Sequence, residues 1–187
     1  YPSEWVRSQG VRVNDELPAK PALVLIAVKP QMMQEALPTL QAMGGGETVF
    51  LSVAAGISIG TYEDILGANT PILRAMPNTP AAIGQGITAL IGNAVSTADH
   101  IDLAHALLSA IGAVVDLDSE NQMDAVTGVS GSGPAYVFYM IDALAKAGEA
   151  QGLSADLAMQ LAKATVAGAG ALAKASEELT EVAVDAK

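Results

Sequence analysis

The sequence predicts an α/β fold followed by an all-helical segment. Its first part alternates apolar runs with stretches of helical periodicity. Continuous apolar runs bounded by Gly or Pro are typical of strands buried on both faces of a parallel sheet. Beyond Asn121 only helical periodicity occurs. We therefore expect a sheet domain at residues 1–120 and a helical domain at residues 121–187.

The expected elements follow from apolar spacing, Gly, Pro and capping residues. Pro38 interrupts one helical pattern, and Ser58 or Gly60 is suited to cap the next helix. The last strands are short, and we expect antiparallel pairing among them. In chain order, the predicted strands are Gly10–Val13, Ala22–Val28, Thr48–Val53, Ile72–Ala75, Ile87–Ile91 and Ala113–Leu117. The predicted helices are Pro2–Gln9, Gln31–Met43, Thr61–Leu66, Thr97–Ile111, Asp124–Val129, Ala135–Gln151 and Ala155–Ala175.

Charge and residue counts argue against several kinds of partner. The net charge of −11 disfavours nucleic acid and anionic membranes. The chain has no cysteine, and its two histidines, His100 and His105, share a helix face poorly, so we expect no metal site. No apolar run resembles a membrane span or a secretion signal. We therefore expect a cytoplasmic protein.

Small and polar residues follow three of the predicted strands. In an open α/β sheet, a ligand lies beyond the carboxyl ends of neighbouring strands. Lys29 or Arg74 can make this edge basic, and the loop Met76–Pro80 holds an amide and a hydroxyl between two prolines. No G-x-G-x-x-G follows a strand, so the usual dinucleotide fingerprint is not visible. The residues alone indicate one cleft and leave its ligand open.

A Gly- and Ser-rich stretch, Val126–Tyr136, leads into the first long helix of the second domain. Pro134 suits the first turn of a helix, and the glycines allow positive φ or close backbone approach. With Ser132 or Gly133 at the helix start, outward N–H groups can bind an anion. The alternative is a hinge where helices pack closely. The position between two domains favours a combination, with the serines facing a substrate cleft.

The last predicted helix is rich in Ala and Gly between Ala162 and Ala171, which lets another backbone come close. Ser154 is suited to cap this helix, and Asp156 lies near its positive end. We expect such an apolar helix pair to bury itself in a second copy of the chain. The alternative is a solitary helical hairpin packed on the sheet domain.

Four segments have the order and spacing of one enzyme family. They are Ala27–Gln31, Ala54–Ile57, Arg74–Pro80 and Ala125–Tyr136. Through them, and over nearly the whole chain up to about Glu177, the sequence resembles pyrroline-5-carboxylate reductase. The resemblance implies a Rossmann-like dinucleotide-binding domain, incomplete at its N-terminus, followed by an all-α dimerisation domain. It also implies reduction of 1-pyrroline-5-carboxylate to L-proline with NADPH or NADH, in a dimer or larger ring.

The resemblance also assigns residues to a site. The implied cofactor contacts are Asn14, Ala27, Val28, Lys29, Pro30, Val53, Ala54 and Ala55. Glu177 is the implied acidic substrate contact, and the other candidate substrate-binding residues are Asn78, Thr79, Ser130 and Ser132. A carboxylate near the ring nitrogen favours the protonated iminium, which accepts hydride better than the neutral imine. The alternative for Glu177 is a solvated acid near a helix end.

Two features of the family are not found in these residues: the Gly-rich phosphate loop after the first strand and the Ser/Thr-Pro-Gly-Gly-Thr loop that holds the substrate carboxylate. We therefore assign no catalytic residue and expect the chain to be part of a longer protein. One alternative is another NADPH-dependent imine or hydroxy-acid reductase with a catalytic lysine, but Lys146, Lys163 and Lys174 lie in no motif. A non-catalytic, helix-swapped scaffold is the other alternative, and it leaves the strand ends unexplained.

Overall fold

The computed structural model describes residues 4–176 of the chain. It divides into two compact units, and the division falls between Val126 and Thr127. Within the described residues, the first unit holds a five-stranded sheet with helices, and the second holds helices only. The predicted fold class is therefore confirmed. The sequence predicts a domain boundary after residue 120, whereas the structure divides the chain after Val126.

The bounds of the elements are close to those predicted. The strands are β1 (Leu23–Ile26), β2 (Val49–Ser52), β3 (Ile72–Met76), β4 (Gly86–Gly92) and β5 (Gly112–Asp116). The α-helices are α1 (Glu4–Ser8), α2 (Met33–Leu40), α3 (Ile59–Leu66), α4 (Ala98–Leu108), α5 (Met123–Val126), α6 (Gly133–Ala150) and α7 (Ala155–Ala175). Short 3-10 helices flank α2 at Pro30–Met32 and Gln41–Met43, so the predicted helix is divided at its two ends, while Pro38 lies inside α2.

The sheet has the strand order β1-β2-β3-β4-β5. β1, β2 and β3 are parallel, β4 is antiparallel to β3, and β5 is parallel to β4. The expected antiparallel pairing is therefore confirmed between β3 and β4 but wrong between β4 and β5, and β4, with seven residues, is not short. Because the first three strands run in one direction, their carboxyl ends meet at one edge of the sheet.

Two apolar layers cover the two faces of the sheet. On one face, Phe50 of β2 packs with Leu37 of α2 and Tyr62 of α3, all fully buried. On the other face, Leu51 of β2 packs with buried residues of α4 such as Ala104. Neighbouring residues of β2 therefore point to opposite faces, and both faces are buried. This burial explains why the strand reads as a continuous apolar run.

The predicted strand Gly10–Val13 is wrong. These residues form no strand, and Val11 is 53% exposed. A strand persists only where a neighbouring strand accepts its backbone hydrogen bonds, and no strand of the described residues pairs with this segment. Its alternation of Val and Arg is therefore not sufficient evidence of a strand.

The second unit contains a helical hairpin. Helices α6 and α7 are joined by a turn in which Gly152 has a φ of 96°. Ser154 accepts a hydrogen bond from the Leu157 N–H and caps α7, as predicted. The seam between the helices is built from small residues, and its buried members are Ala145, Ala158 and Ala162. Small side chains allow the two helices to approach closely.

Candidate functional site

The predicted ligand edge is formed by the ends of β1 and β2. Ile26 and Ser52 are paired in the parallel register, and the Val53 N–H donates to the Ile26 carbonyl at 3.1 Å. Ala27–Pro30 and Val53–Ala55 follow these two residues directly. The structure therefore brings seven of the eight predicted cofactor contacts to one edge of the sheet.

The exposed groups at this edge suit a flat anionic ligand. Ala27, Lys29 and Ala55 are exposed, whereas Ala54 is buried. Gly56 has a φ of 75°, and no atom lies within 4 Å of the place where a Cβ would stand. Small side chains leave backbone N–H and C=O groups accessible, and Lys29 supplies a positive charge. This donor set fits a dinucleotide, which is flat in its rings and negative at its phosphates.

Two cavities of the first unit lie on different edges of the sheet. The smaller, about 340 Å³, lies beside the strand ends and is lined in part by Pro30, Ile57 and Thr61. The larger, about 840 Å³, is lined in part by Ala22 and Thr48, which precede β1 and β2. In an open parallel sheet, a ligand lies at the carboxyl ends of the strands. We therefore place the candidate site at the strand ends, beside the smaller cavity, although the other cavity is larger.

The loop after β3 is rigid, as its two prolines indicate. The Asn78 Oδ1 accepts a hydrogen bond from the Ile87 N–H at 3.0 Å, which ties this loop to the start of β4. Thr79 is exposed in a 3-10 helix, Thr79–Ile83. Asn78 therefore has a structural role that the sequence did not indicate. Substrate binding by Asn78 and Thr79 stays a prediction.

Arg74 does not supply free positive charge to this edge, contrary to one of our expectations. Its side chain is 11% exposed, and its Nη1 lies 2.6 Å from the Glu120 Oε1. The same carboxylate oxygen accepts from the Ile59 N–H at 2.8 Å, at the first turn of α3. A buried guanidinium requires a partner, but the sequence gives no signal that the partner lies 46 residues further on.

A second buried contact joins the end of β2 to α3. The Ser52 Oγ lies 2.5 Å from the Tyr62 hydroxyl and accepts from the Ala54 N–H at 3.2 Å. Burial raises the pKa of Tyr62, while the Ser52 hydrogen bond and the Arg74 charge lower it to a smaller extent. The phenol therefore stays protonated at neutral pH.

Replacing Tyr62 with Phe should change how stability depends on pH. The pKa of Tyr62 is raised above the ordinary 10.0 in the folded protein. Its contribution is therefore complete below the pKa of the unfolded chain and is lost as pH rises through the folded pKa. Above about pH 10, the free energy of unfolding should fall more steeply in the wild type than in Tyr62→Phe, by up to about 1.4 kcal/mol per pH unit. Urea unfolding at a series of alkaline pH values measures this difference, and parallel curves would contradict it.

The Gly-Ser stretch leads into α6 where predicted, with Ser132 at the N-cap position and Pro134 in the first turn, but a further helical turn precedes it. Thr127–Gly131 forms a π-helix that continues into α6 through Ser132, whose N–H donates to the Thr127 carbonyl at 2.8 Å. Gly128 and Gly133 do not have positive φ, and no atom lies within 4 Å of a Cβ built on either. The predicted helix start is therefore confirmed, whereas the expected outward N–H is wrong at Ser132, because the preceding turn accepts this N–H. π-Helical turns often occur at functional sites.

The remaining candidate residues stand as follows. Ser130 and Ser132 are half-buried in the second unit. Asn14 is exposed and has a φ of 58°, a left-handed conformation that Asn tolerates. Glu177 lies outside the described residues. The roles of all four stay predictions.

The histidines have separate partners in the described part of the chain. The His100 Nδ1 accepts from the Thr97 N–H at the start of α4, and the His105 Nε2 lies 2.8 Å from the Asp116 Oδ1. Within residues 4–176, no three His, Cys, Asp or Glu side chains are grouped as metal ligands. No helix in the same range is long and apolar enough to cross a bilayer.

A mostly parallel sheet whose strand ends suit a dinucleotide, followed in sequence by a helical unit, defines a Rossmann-like α/β protein with an all-α domain. Residues 120–186 match the family model for pyrroline-5-carboxylate reductase dimerisation. The reductase of Pseudomonas aeruginosa is 43% identical over 167 residues, covering 89% of this chain and 61% of that protein. That of Synechocystis is 44% identical, covering 88% and 61%. Over most of its length the chain is therefore similar to pyrroline-5-carboxylate reductases, as its motifs indicated.

Solved structures agree with this assignment. The pyrroline-5-carboxylate reductase of Coxiella burnetii has a TM-score of 0.81 at 34% identity, covering 86% of this chain and 60% of that one. The Plasmodium falciparum enzyme, solved with NADP bound, has a TM-score of 0.80 at 28% identity, covering 88% and 62%. The chain thus spans about three fifths of the length of the relatives it matches.

Proposed function

We propose that this chain is part of a reductase that converts 1-pyrroline-5-carboxylate to L-proline with hydride from NADPH or NADH, the final step of proline biosynthesis. The observation that carries the proposal is 43% identity to a pyrroline-5-carboxylate reductase over 89% of the chain. That stretch includes the strand ends and the Gly-Ser stretch. A non-catalytic scaffold does not require this pattern of residues.

We assign cofactor binding to the ends of β1 and β2. Ala27–Pro30 and Val53–Ala55 would hold the dinucleotide through backbone groups and the Lys29 ammonium, with Asn14 as a further contact. The adjacency of the two loops and the exposure of Lys29 support this assignment. A related structure contains NADP. When bound, the cofactor supplies the hydride, and these residues orient it and exclude water.

We assign substrate binding to Glu177, Asn78, Thr79, Ser130 and Ser132. The Glu177 carboxylate would hold a proton at the imine nitrogen, because its negative charge stabilises the iminium. Ser130 lies in the π-helical turn, Ser132 follows it at the N-cap of α6, and Thr79 is exposed at the start of a 3-10 helix. These groups offer hydrogen bonds to a small acidic substrate, whose carboxylate needs donors.

We also propose that the helical unit pairs with a second copy of the chain, as a dimer or within a larger ring. Helix α6 exposes large apolar side chains, among them Tyr136 at 62%, Phe138 at 64% and Tyr139 at 75%. Contiguous exposure of this kind marks an interaction surface. The match to a dimerisation family model supports a second copy as the partner. We also propose a cytoplasmic location. The sequence has no cysteine, so its folding does not depend on disulfides, which form in oxidising compartments.

The activity is tested by following NADPH consumption with the full-length protein and 1-pyrroline-5-carboxylate. We expect substrate-dependent oxidation of NADPH and formation of L-proline. Other cyclic imines and hydroxy-acid or keto-acid pairs serve as competing substrates. Preference for one of these would favour the alternative reductase, and absence of turnover with all of them would favour the scaffold.

Replacing Glu177 with Gln should weaken catalysis most at high pH. The carboxylate raises the pKa of the bound iminium, so its loss shifts the decline of kcat/KM to lower pH by about one unit and lowers the rate at alkaline pH about tenfold. Steady-state kinetics over a pH series measure this shift. The neighbouring Glu178→Gln is the matched control and should leave the profile unchanged. If the pH profile of kcat/KM in Glu177→Gln equals that of the wild type, Glu177 does not act on the iminium and is a solvated surface acid.

A further inference from the structure

Tyr62 contacts the candidate cofactor loop through one intermediate group. Its hydroxyl lies 2.5 Å from the Oγ of Ser52, the last residue of β2. The same Oγ accepts from the Ala54 N–H at 3.2 Å. A side chain of α3 is thereby linked to the backbone of the loop after β2. The link therefore connects α3 to the loop after β2 at the carboxyl edge of the sheet.

Water cannot replace this link, because both side chains are inaccessible. Ser52 is 1% exposed, and Tyr62 is not exposed at all. A serine hydroxyl has one hydrogen and two lone pairs, and Ala54 uses one lone pair. Tyr62 occupies a second position on this hydroxyl and so restricts its rotation. Removal of the phenol oxygen leaves the serine free to turn away from the Ala54 N–H.

The orientation of this peptide determines what the loop offers a ligand. Ala54 is buried, Ala55 is exposed, and Gly56 has a φ of 75°, so the chain turns sharply here. Alanine and glycine have no polar side-chain atoms. The polar contacts of Ala54–Gly56 are therefore backbone N–H and C=O groups, and their directions depend on how the Ala54 peptide is held.

We propose that Tyr62, acting through Ser52, is a positioning residue that holds the loop Val53–Gly56 in the conformation needed to bind the nicotinamide dinucleotide. This inference rests on the proposed function for its ligand, but its structural part concerns the cofactor-free protein. Tyr62 belongs to none of the segments that carry the family resemblance.

The structural part is tested by amide hydrogen exchange on the cofactor-free, full-length protein. We expect the Ala54 amide to exchange about three- to tenfold faster in Tyr62→Phe than in the wild type. This factor corresponds to the loss of one buried hydrogen bond between neutral groups. Ser52→Ala should have the same effect, and Tyr62→Phe should add nothing in the Ser52→Ala background. Thr39→Val, which removes an exposed hydroxyl of α2 that donates to the Ala36 carbonyl, is the matched control. Unchanged exchange at Ala54 in both single variants would overturn the inference.

The ligand part is tested by titrating the same variants with NADPH and measuring fluorescence. We expect the Kd for NADPH to rise about three- to tenfold in Tyr62→Phe, with the KM for 1-pyrroline-5-carboxylate unchanged. An equal rise in both constants would indicate general destabilisation and overturn the positioning role. An unchanged Kd, with the wild type binding NADPH, would overturn the inference alone. Failure of the wild type to bind either NADPH or NADH would overturn the proposed function and, with it, the ligand part.

Discussion

Replacing Glu120 with Ala should lower the free energy of unfolding by about 3 kcal/mol, because the buried Arg74 guanidinium loses its partner. Glu120 also accepts from the Ile59 N–H, so one carboxylate satisfies donors of β3 and α3 at once. Its negative charge lies at the positive end of α3, which adds to the effect. The loss should appear as a lower midpoint of urea unfolding with little change in the slope.

Two further variants make this prediction sharper. Lys146→Ala removes an exposed ion pair with Asp142, in which Lys146 is 72% exposed, and should cost less than about 0.5 kcal/mol. Arg74→Met leaves Glu120 unpaired, but that side chain is 29% exposed and can be hydrated. It should therefore cost less than Glu120→Ala. If Glu120→Ala costs no more than Lys146→Ala, water replaces the carboxylate and the pair contributes little.

Replacing Phe138 with Glu should weaken self-association of the chain by about a thousandfold. Phe138 is 64% exposed on α6, among other large apolar side chains. If a second copy covers this face, the new carboxylate is desolvated without a partner, at a cost of about 4 kcal/mol or more. Sedimentation equilibrium on the full-length protein should then detect monomer at concentrations where the wild type is a dimer.

The same helix supplies the control for this experiment. Lys146→Ala changes an exposed polar position of α6 and should leave the dimer intact. Circular dichroism distinguishes dissociation from unfolding, since a dissociated α6–α7 hairpin retains its helical signal. A dimer that survives Phe138→Glu with wild-type affinity would exclude this face from the interface. A wild type that is monomeric would instead favour the solitary hairpin.

Most elements could be predicted because their signals are local. The apolar run of β2 acts through neighbouring residues, and the structure places a strand where this signal occurs. Pro38, in contrast, lies inside α2 and marks no division of that helix. Gly10–Val13 failed because a strand also needs a partner strand, which the local sequence does not specify. For the Gly-Ser stretch the start of α6 was predicted, but the π-helical turn before it was not. Its glycines permit positive φ, yet Gly128 and Gly133 do not adopt it.

The candidate site was predictable in part. The ends of β1 and β2 could be placed together because parallel strands bring their carboxyl ends to one edge. Lys29 or Arg74 was expected to make the site basic; Lys29 is exposed, whereas Arg74 is paired with Glu120. Asn78 was expected to face a ligand, and its amide oxygen holds the start of β4. Polar residues near a site can serve either the ligand or the fold, and their spacing in sequence does not distinguish the two.

The sequence by itself determined the fold class, the order of most elements and the family resemblance, because apolar periodicity and long motifs are properties of contiguous residues. Only the tertiary structure decided which polar groups meet. The contacts Ser52–Tyr62 and Arg74–Glu120 join residues 10 and 46 positions apart. Their energies depend on burial and on distances of a few ångströms, which arise when separate elements pack. For this reason the link from Tyr62 to the loop after β2 could be found only in the folded chain.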